Sequence, residues 1–108
     1  MPQPDSYAEM VLDVVATIPA GRVASYGAIA AAVRVVMGRG SARAVGRVLA
    51  NYGDQVCWWR VVRASGELTE PIAQRQRVHL LAEQVPLRGD PARAVMAAAA
   101  WQPRPPLA

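Results

Sequence analysis

Apolar residues recur at Tyr7, Met10, Val11, Val14, Val15 and Ile18, the i, i+3, i+4, i+7, i+8, i+11 spacing of one helix face. Ser6 followed three residues later by Glu9 has the form of a capping box at its start. Pro19-Ala20-Gly21 supplies the stop. Arg22-Val23-Ala24 then reads as a short extended piece, and Ser25 as the N-cap of a helix from Tyr26 to Arg34. Gly38 and Gly40 mark a loop, after which Ser41 caps a third helix from Ala42 to Ala50.

The third helix separates into two faces. Val45, Val48 and Leu49 point inward, while Arg43, Gly46, Arg47 and Ala50 fall at i, i+3, i+4, i+7 and form a basic face of otherwise small residues. Two short capped helices joined by a glycine-containing turn predict a helix-turn-helix, the second helix reading DNA. Small residues between arginines let a backbone come close to a narrow groove.

Cys57-Trp58-Trp59-Arg60-Val61-Val62 reads as a strand, in which adjacent tryptophans point to opposite faces. Either both pack, as Trp commonly does, or one lines a pocket and stacks on a flat ligand. Ala64-Ser65-Gly66 predicts a turn and Glu67-Leu68-Thr69 a short return strand. Ile72 to Glu83 reads as a helix with Val78, Leu81 and Val85 on its apolar side and Arg75 and Arg77 outside. Asp90-Pro91 opens a last helix with Ala92, Val95, Met96, Ala99 and Ala100 as its stripe. Beyond Trp101-Gln102 the chain turns proline-rich, and a flexible tail is expected after about residue 103.

With 108 residues the chain is expected to form one domain over 1–108, and 53% apolar content excludes a disordered composition. No apolar run approaches the roughly 18 residues of a membrane span. Pro2, Pro4 and Asp5 stand where a signal peptide carries basic and apolar residues. A lone cysteine can make no internal disulfide. A cytoplasmic location, without membrane contact, is the expectation.

Charge sharpens the choice of partner. Every one of the 12 basic residues is an arginine, and seven lie within residues 21–63 against the single acid Asp54. That segment carries +6 and the remainder −2, an asymmetry suited to a polyanion. One Cys and one His cannot form a metal site of three or four ligands, and Gly38-Arg39-Gly40 lacks phosphate-loop spacing. His79 lies about twenty residues from Cys57, on the outer part of a helix, so no Cys-His nucleophilic pair is written in the sequence. No cofactor is expected.

Three ordered blocks then carry a resemblance: Arg22-Val23-Ala24-Ser25-Tyr26-Gly27 with Ile29-Ala30, Ala42-Arg43-Ala44-Val45-Gly46, and Trp58-Trp59-Arg60-Val61-Val62 with Ser65-Gly66. They resemble the DNA-binding domain of the O6-alkylguanine-DNA alkyltransferases, whose third block is Pro-Cys-His-Arg-Val. In that register Trp58 falls on the acceptor cysteine and Trp59 on its histidine. Tryptophan at the cysteine position marks the alkyltransferase-like proteins, which bind alkylated guanine without repairing it. Trp101-Gln102-Pro103 is similar to the tail of many of them.

The resemblance implies a mostly α fold: a single alkyltransferase C-terminal-type domain, winged-helix-like, with a helix-turn-helix and a short β element. It implies no catalytic residue and no enzyme activity. Arg43 matches the arginine finger that fills the gap left by a flipped nucleotide, and Tyr26 the tyrosine that crowds the neighbouring phosphate. The helix of Ala42 to Ala50 would lie in the minor groove, with Ser41, Ala42, Gly46 and Arg47 against DNA and Asn51 closing the helix. Trp58, with Arg60, Val61 and Leu49, would form the pocket for the alkylated base. Extruding a base costs a few kcal/mol, and stacking on an aromatic ring returns about 1–3 kcal/mol. An added methylene contributes about 0.8 kcal/mol.

Duplex DNA containing O6-alkylguanine is therefore the expected partner, with nucleotide excision repair proteins downstream and the protein itself a monomer. Two other readings stay open at this point. Cys57 stands one residue before the acceptor position, where the motif has proline, and could be a displaced nucleophile. A plain helix-turn-helix regulator of undamaged DNA also fits the charge pattern.

Overall fold

The structure, a computed structural model, describes residues 4–106. Helix α1 spans Ser6–Ala16, α2 Tyr26–Met37 and α3 Ala42–Tyr52. These three pack around one apolar core of Tyr7, Val11, Val14, Val15, Ile18, Ile29, Val33, Val45 and Val48. From Tyr7 to Val15 the stripe read from the sequence is the buried face of α1, with Met10 at its margin, and Ile18 is buried just past the helix end. Its cap is different: Asp5, not Ser6, accepts from the Ala8 amide at 2.8 Å. Aspartate is as good a cap as serine, so the start moves by one residue.

Ser25 and Ser41 cap α2 and α3 as expected, accepting from Ala28 at 3.0 Å and Ala44 at 3.1 Å. Helix α2 runs past Arg34 to Met37 and ends on Gly38, whose φ of 74° is the left-handed cap conformation. Helix α3 runs past Ala50, so Asn51 lies within its last turn rather than beyond its end.

Strand β1, Ala24–Ser25, pairs in parallel with β2, Val61–Val62. Alternation along these strands divides the interior. Ala24 and Val61 join the three-helix core, whereas Val23 and Val62 face a second cluster with Leu68, Leu80, Val85, Ala94 and Ala99. The expected alternation of the two tryptophans does not occur. Trp58–Arg60 form a 3₁₀ turn, and the extended chain begins only at Val61.

Helix α4, Ala73–Ala82, is turned relative to its apolar reading. Leu80 and Gln76 are buried, whereas Val78 and Leu81 are 68% and 50% exposed. The reason is polar: Gln76 donates to the Trp59 and Val61 carbonyls at 3.1 and 2.7 Å and accepts from the Thr69 amide at 2.8 Å. A buried amide so fully partnered sets the helix rotation that apolar spacing alone misassigns.

The expected helix after Asp90-Pro91 is instead a hairpin. Strand β3, Leu87–Arg88, pairs antiparallel with β4, Arg93–Ala94, and Asp90-Pro91 sits in the turn. Only Met96–Ala99 is helical, as the short α5. Glu67 bridges to Arg93 rather than forming a return strand on β2. The Ala94 amide donates to the Gly66 carbonyl at 2.8 Å, and a Cβ on Gly66, at φ 91°, would collide with the Ala94 carbonyl oxygen. That close approach anchors the hairpin.

The tail is tied back through Trp101, whose amide donates to the Val23 carbonyl at 2.7 Å, and Pro103 is buried. Residues 107–108 of the expected flexible tail, and Pro2 of the signal-peptide argument, lie outside the described residues. Among the described residues no helix is long and apolar enough to cross a membrane.

Candidate nucleic-acid interface

The capping of α2 and α3 places Tyr26 and Ala42-Arg43 at the first turns of their helices, on one side of the molecule. Between them, the 3₁₀ turn and residues 69–75, opens a cleft of ≈ 1080 Å³. Tyr26, Ala42, Arg43, Gly46, Leu49, Asn51 and Trp58 all line it. The helix-turn-helix and the aromatic turn, distant in sequence, thus meet at one surface.

Among the described residues the two ion pairs are Arg60–Glu83 and Arg93–Glu67, so Arg43 is exposed and has no carboxylate partner. Gly46 has open space around it: a Cβ there would meet nothing within 4 Å. Tyr26 reaches across the cleft, its hydroxyl 2.8 Å from that of Thr69.

Trp58 is held by aromatic neighbours. Trp59 and His79 stack on each other at 4.2 Å with planes 14° apart. Both stand nearly perpendicular to Trp58, at 5.9 and 5.6 Å between centroids, and abut it edge-on. Trp59 itself packs against the second core.

Four other residues expected at the site, two for DNA contact and two for the base pocket, do not line the cleft. Ser41 serves as the cap of α3, and Arg47 is exposed but outside the cleft wall. Val61 is wholly buried beneath β1. Arg60 turns away from the cleft, its Nε donating to Glu83 at 3.0 Å and its Nη1 to the Ile18 carbonyl at 2.8 Å. Trp59 Nε1 and the Gly21 amide also donate to Glu83, at 3.0 and 3.3 Å. Burial pushes the Glu83 carboxyl up, but these hydrogen bonds, led by Arg60, outweigh it and hold it below the usual carboxylate range. The Glu83 hydrogen bond raises Arg60 in turn, against the opposing effect of burial.

Asp54, Arg63, Thr69, Glu70, Pro71, Ile72 and Arg75 also line the wall; of these, Thr69, Ile72 and Arg75 were given no site role by the sequence. Arg75 belongs to the charged side of its helix, and only the folding of 69–75 over the aromatic turn brings it to Trp58. Among the described residues no group of three or more His, Cys, Asp or Glu could hold a metal ion.

Residues 6–85 match the family of the 6-O-methylguanine DNA methyltransferase DNA binding domain. The chain belongs to that family. It is 41% identical over 93 residues to the DNA base-flipping protein of Escherichia coli (strain K12), covering 82% of this chain and 70% of that one. The crystal structure of S. pombe Atl1 in complex with damaged DNA containing O6-carboxymethylguanine superposes with a TM-score of 0.76 at 28% identity. It covers 94% of this chain and 100% of that chain. The Mycobacterium tuberculosis O6-methylguanine methyltransferase matches at TM-score 0.63 and 32% identity, over 76% of this chain and 50% of that one. Within the family the mostly helical domain with short strands is therefore the shared fold.

Proposed function

We propose that this protein is a DNA-damage sensor that recognises O6-alkylguanine in duplex DNA by flipping it into the cleft walled by Trp58. The observation that carries the reading is the joining of Arg43, Tyr26 and Trp58 in one cleft. Arg43 enters the duplex and fills the space of the extruded nucleotide, and Tyr26 crowds the adjacent phosphate. Ala42, Gly46 and Asn51 meet the minor groove, with Ser41 and Arg47 beside them. Trp58 takes the flipped base on its flat surface, and Leu49 adds apolar contact. Arg60 and Val61 act from behind, by fixing the turn that presents Trp58.

The base is held without alkyl transfer. Since nothing in the cleft removes the alkyl group, a separate activity must excise it, and nucleotide excision repair is the proposed recipient. The protein works as a monomer in the cytoplasm, on nucleoid DNA. Support comes from its relatives, one a DNA base-flipping protein and another crystallised on O6-carboxymethylguanine DNA.

Flipping is tested with 2-aminopurine placed beside O6-methylguanine in a duplex, since this base brightens when its neighbour leaves the stack. Saturating protein should raise its fluorescence. Binding without a rise would exclude base extrusion.

A further inference from the structure

One cation at the cleft has no part in the reading above. Arg75, on α4, lines the cleft, and its guanidinium carbon lies 5.1 Å from the centre of the Trp58 ring. That is cation–π range. Neither ion pair among the described residues includes Arg75, and the two acids that line the same cleft, Asp54 and Glu70, form no ion pair with it.

The two partners differ in freedom. Trp58 is fixed by its perpendicular neighbours and by its amide, which donates to the Val56 carbonyl at 2.8 Å. Arg75 is exposed, on a long side chain that swings at small cost. A rigid aromatic platform thus lies beneath a movable cover.

We propose that Arg75 is a built-in competitor for the Trp58 platform: without DNA it occupies the ring, and it leaves when a flipped base stacks there. This rests on the base-binding role of the cleft proposed above. Every incoming base must displace the same guanidinium. A normal guanine, already costly to extrude, then falls further below the threshold for capture than one whose pairing is weakened. Binding modes that leave the cleft empty are untouched by the cover. Arg75 therefore sets how much a base must gain from flipping before it is held.

The test compares wild type, Arg75→Ala and Arg75→Lys on three otherwise identical duplexes, carrying O6-methylguanine, guanine or an abasic site. Removing a cation weakens phosphate attraction on all three alike. Removing the cover strengthens only the duplex that supplies a base to the ring. In Arg75→Ala the ratio of lesion to abasic affinity should rise about two- to fivefold, with Arg75→Lys between. Without DNA, acrylamide should quench more of the emission that Trp58→Phe removes. An unchanged or lowered ratio overturns the cover, even where wild type prefers the lesion. If wild type does not separate the lesion from guanine, the base-binding reading fails first and the cover with it.

Discussion

The Cys57 thiol donates to the Val15 carbonyl at 3.2 Å, at the end of α1, and is not among the groups lining the cleft. A nucleophile must reach the carbon it attacks and needs a base to take its proton. Cys57 has neither here: His79, the single histidine, is stacked on Trp59. Incubation with O6-methylguanine duplex should leave the protein mass unchanged. A gain of one methyl group on Cys57 would show that the thiol leaves Val15 and reacts.

Arg43 and Trp58 line the same cleft but should fail differently. Arg43→Ala should weaken binding to O6-methylguanine duplex by about tenfold or more, because the space vacated by the flipped nucleotide is left unfilled. Trp58→Ala should lower the preference for the alkylated base more than it lowers binding to plain duplex. Titrations of both variants on lesion and guanine duplexes check this; a twofold effect for Arg43, or a uniform loss for Trp58, would contradict the roles assigned to them.

Gly46 offers a substitution with opposite effects on folding and binding. Nothing lies within 4 Å of a Cβ built there, and glycine within a helix is about 0.8–1 kcal/mol less favourable than alanine. Gly46→Ala should raise the urea midpoint and yet weaken DNA binding, since the added methyl stands where the groove approaches. Stabilisation with unchanged affinity would place the DNA elsewhere.

The helical frame is legible in the sequence because its signals are local. Ser25 and Ser41 announce two helices, and the spacing from Tyr7 to Ile18 announces the buried face of the first. The caps also fix where Tyr26 and Arg43 stand, in the first turns of their helices, although the roles proposed for them come from the family resemblance. What escapes is set by distant partners. Cys57 to Arg60 are as apolar as a strand, but the Trp58 and Arg60 amides bond to Val56 and Cys57 carbonyls, closing a tight turn. Gln76 and Glu83 look like solvated positions of a helix, and only the turn of Trp58–Arg60 against α4 gives them buried partners. Pro91 fits a helix start or a hairpin turn equally, and the Gly66–Ala94 approach decides between them.

Glu83 joins Trp59, Arg60 and the Gly21 amide, so its loss should loosen the base of the aromatic turn. Its pKa is held below the ordinary 4.5, so the stability it contributes is complete above that value. That contribution is lost as pH falls through the depressed folded-state value. Glu83→Gln should cost about 1.5–3 kcal/mol at neutral pH, the range for hydrogen bonds to a charged group. Below about pH 4 the difference between wild type and variant should shrink. Urea unfolding across that range checks the sign; a gap that widens on acidification would contradict it.

Binding to two duplexes that differ at one base tests damage recognition most directly. The same sequence is prepared with guanine or with O6-methylguanine at its centre, and wild-type affinity for each is measured at several salt concentrations. Both affinities should fall steeply with salt, because the arginine-rich segment releases counterions from either duplex. Their ratio should stay near constant and favour O6-methylguanine by about tenfold or more. Equal affinity for the two duplexes at every salt concentration would mean that the cleft does not read the lesion.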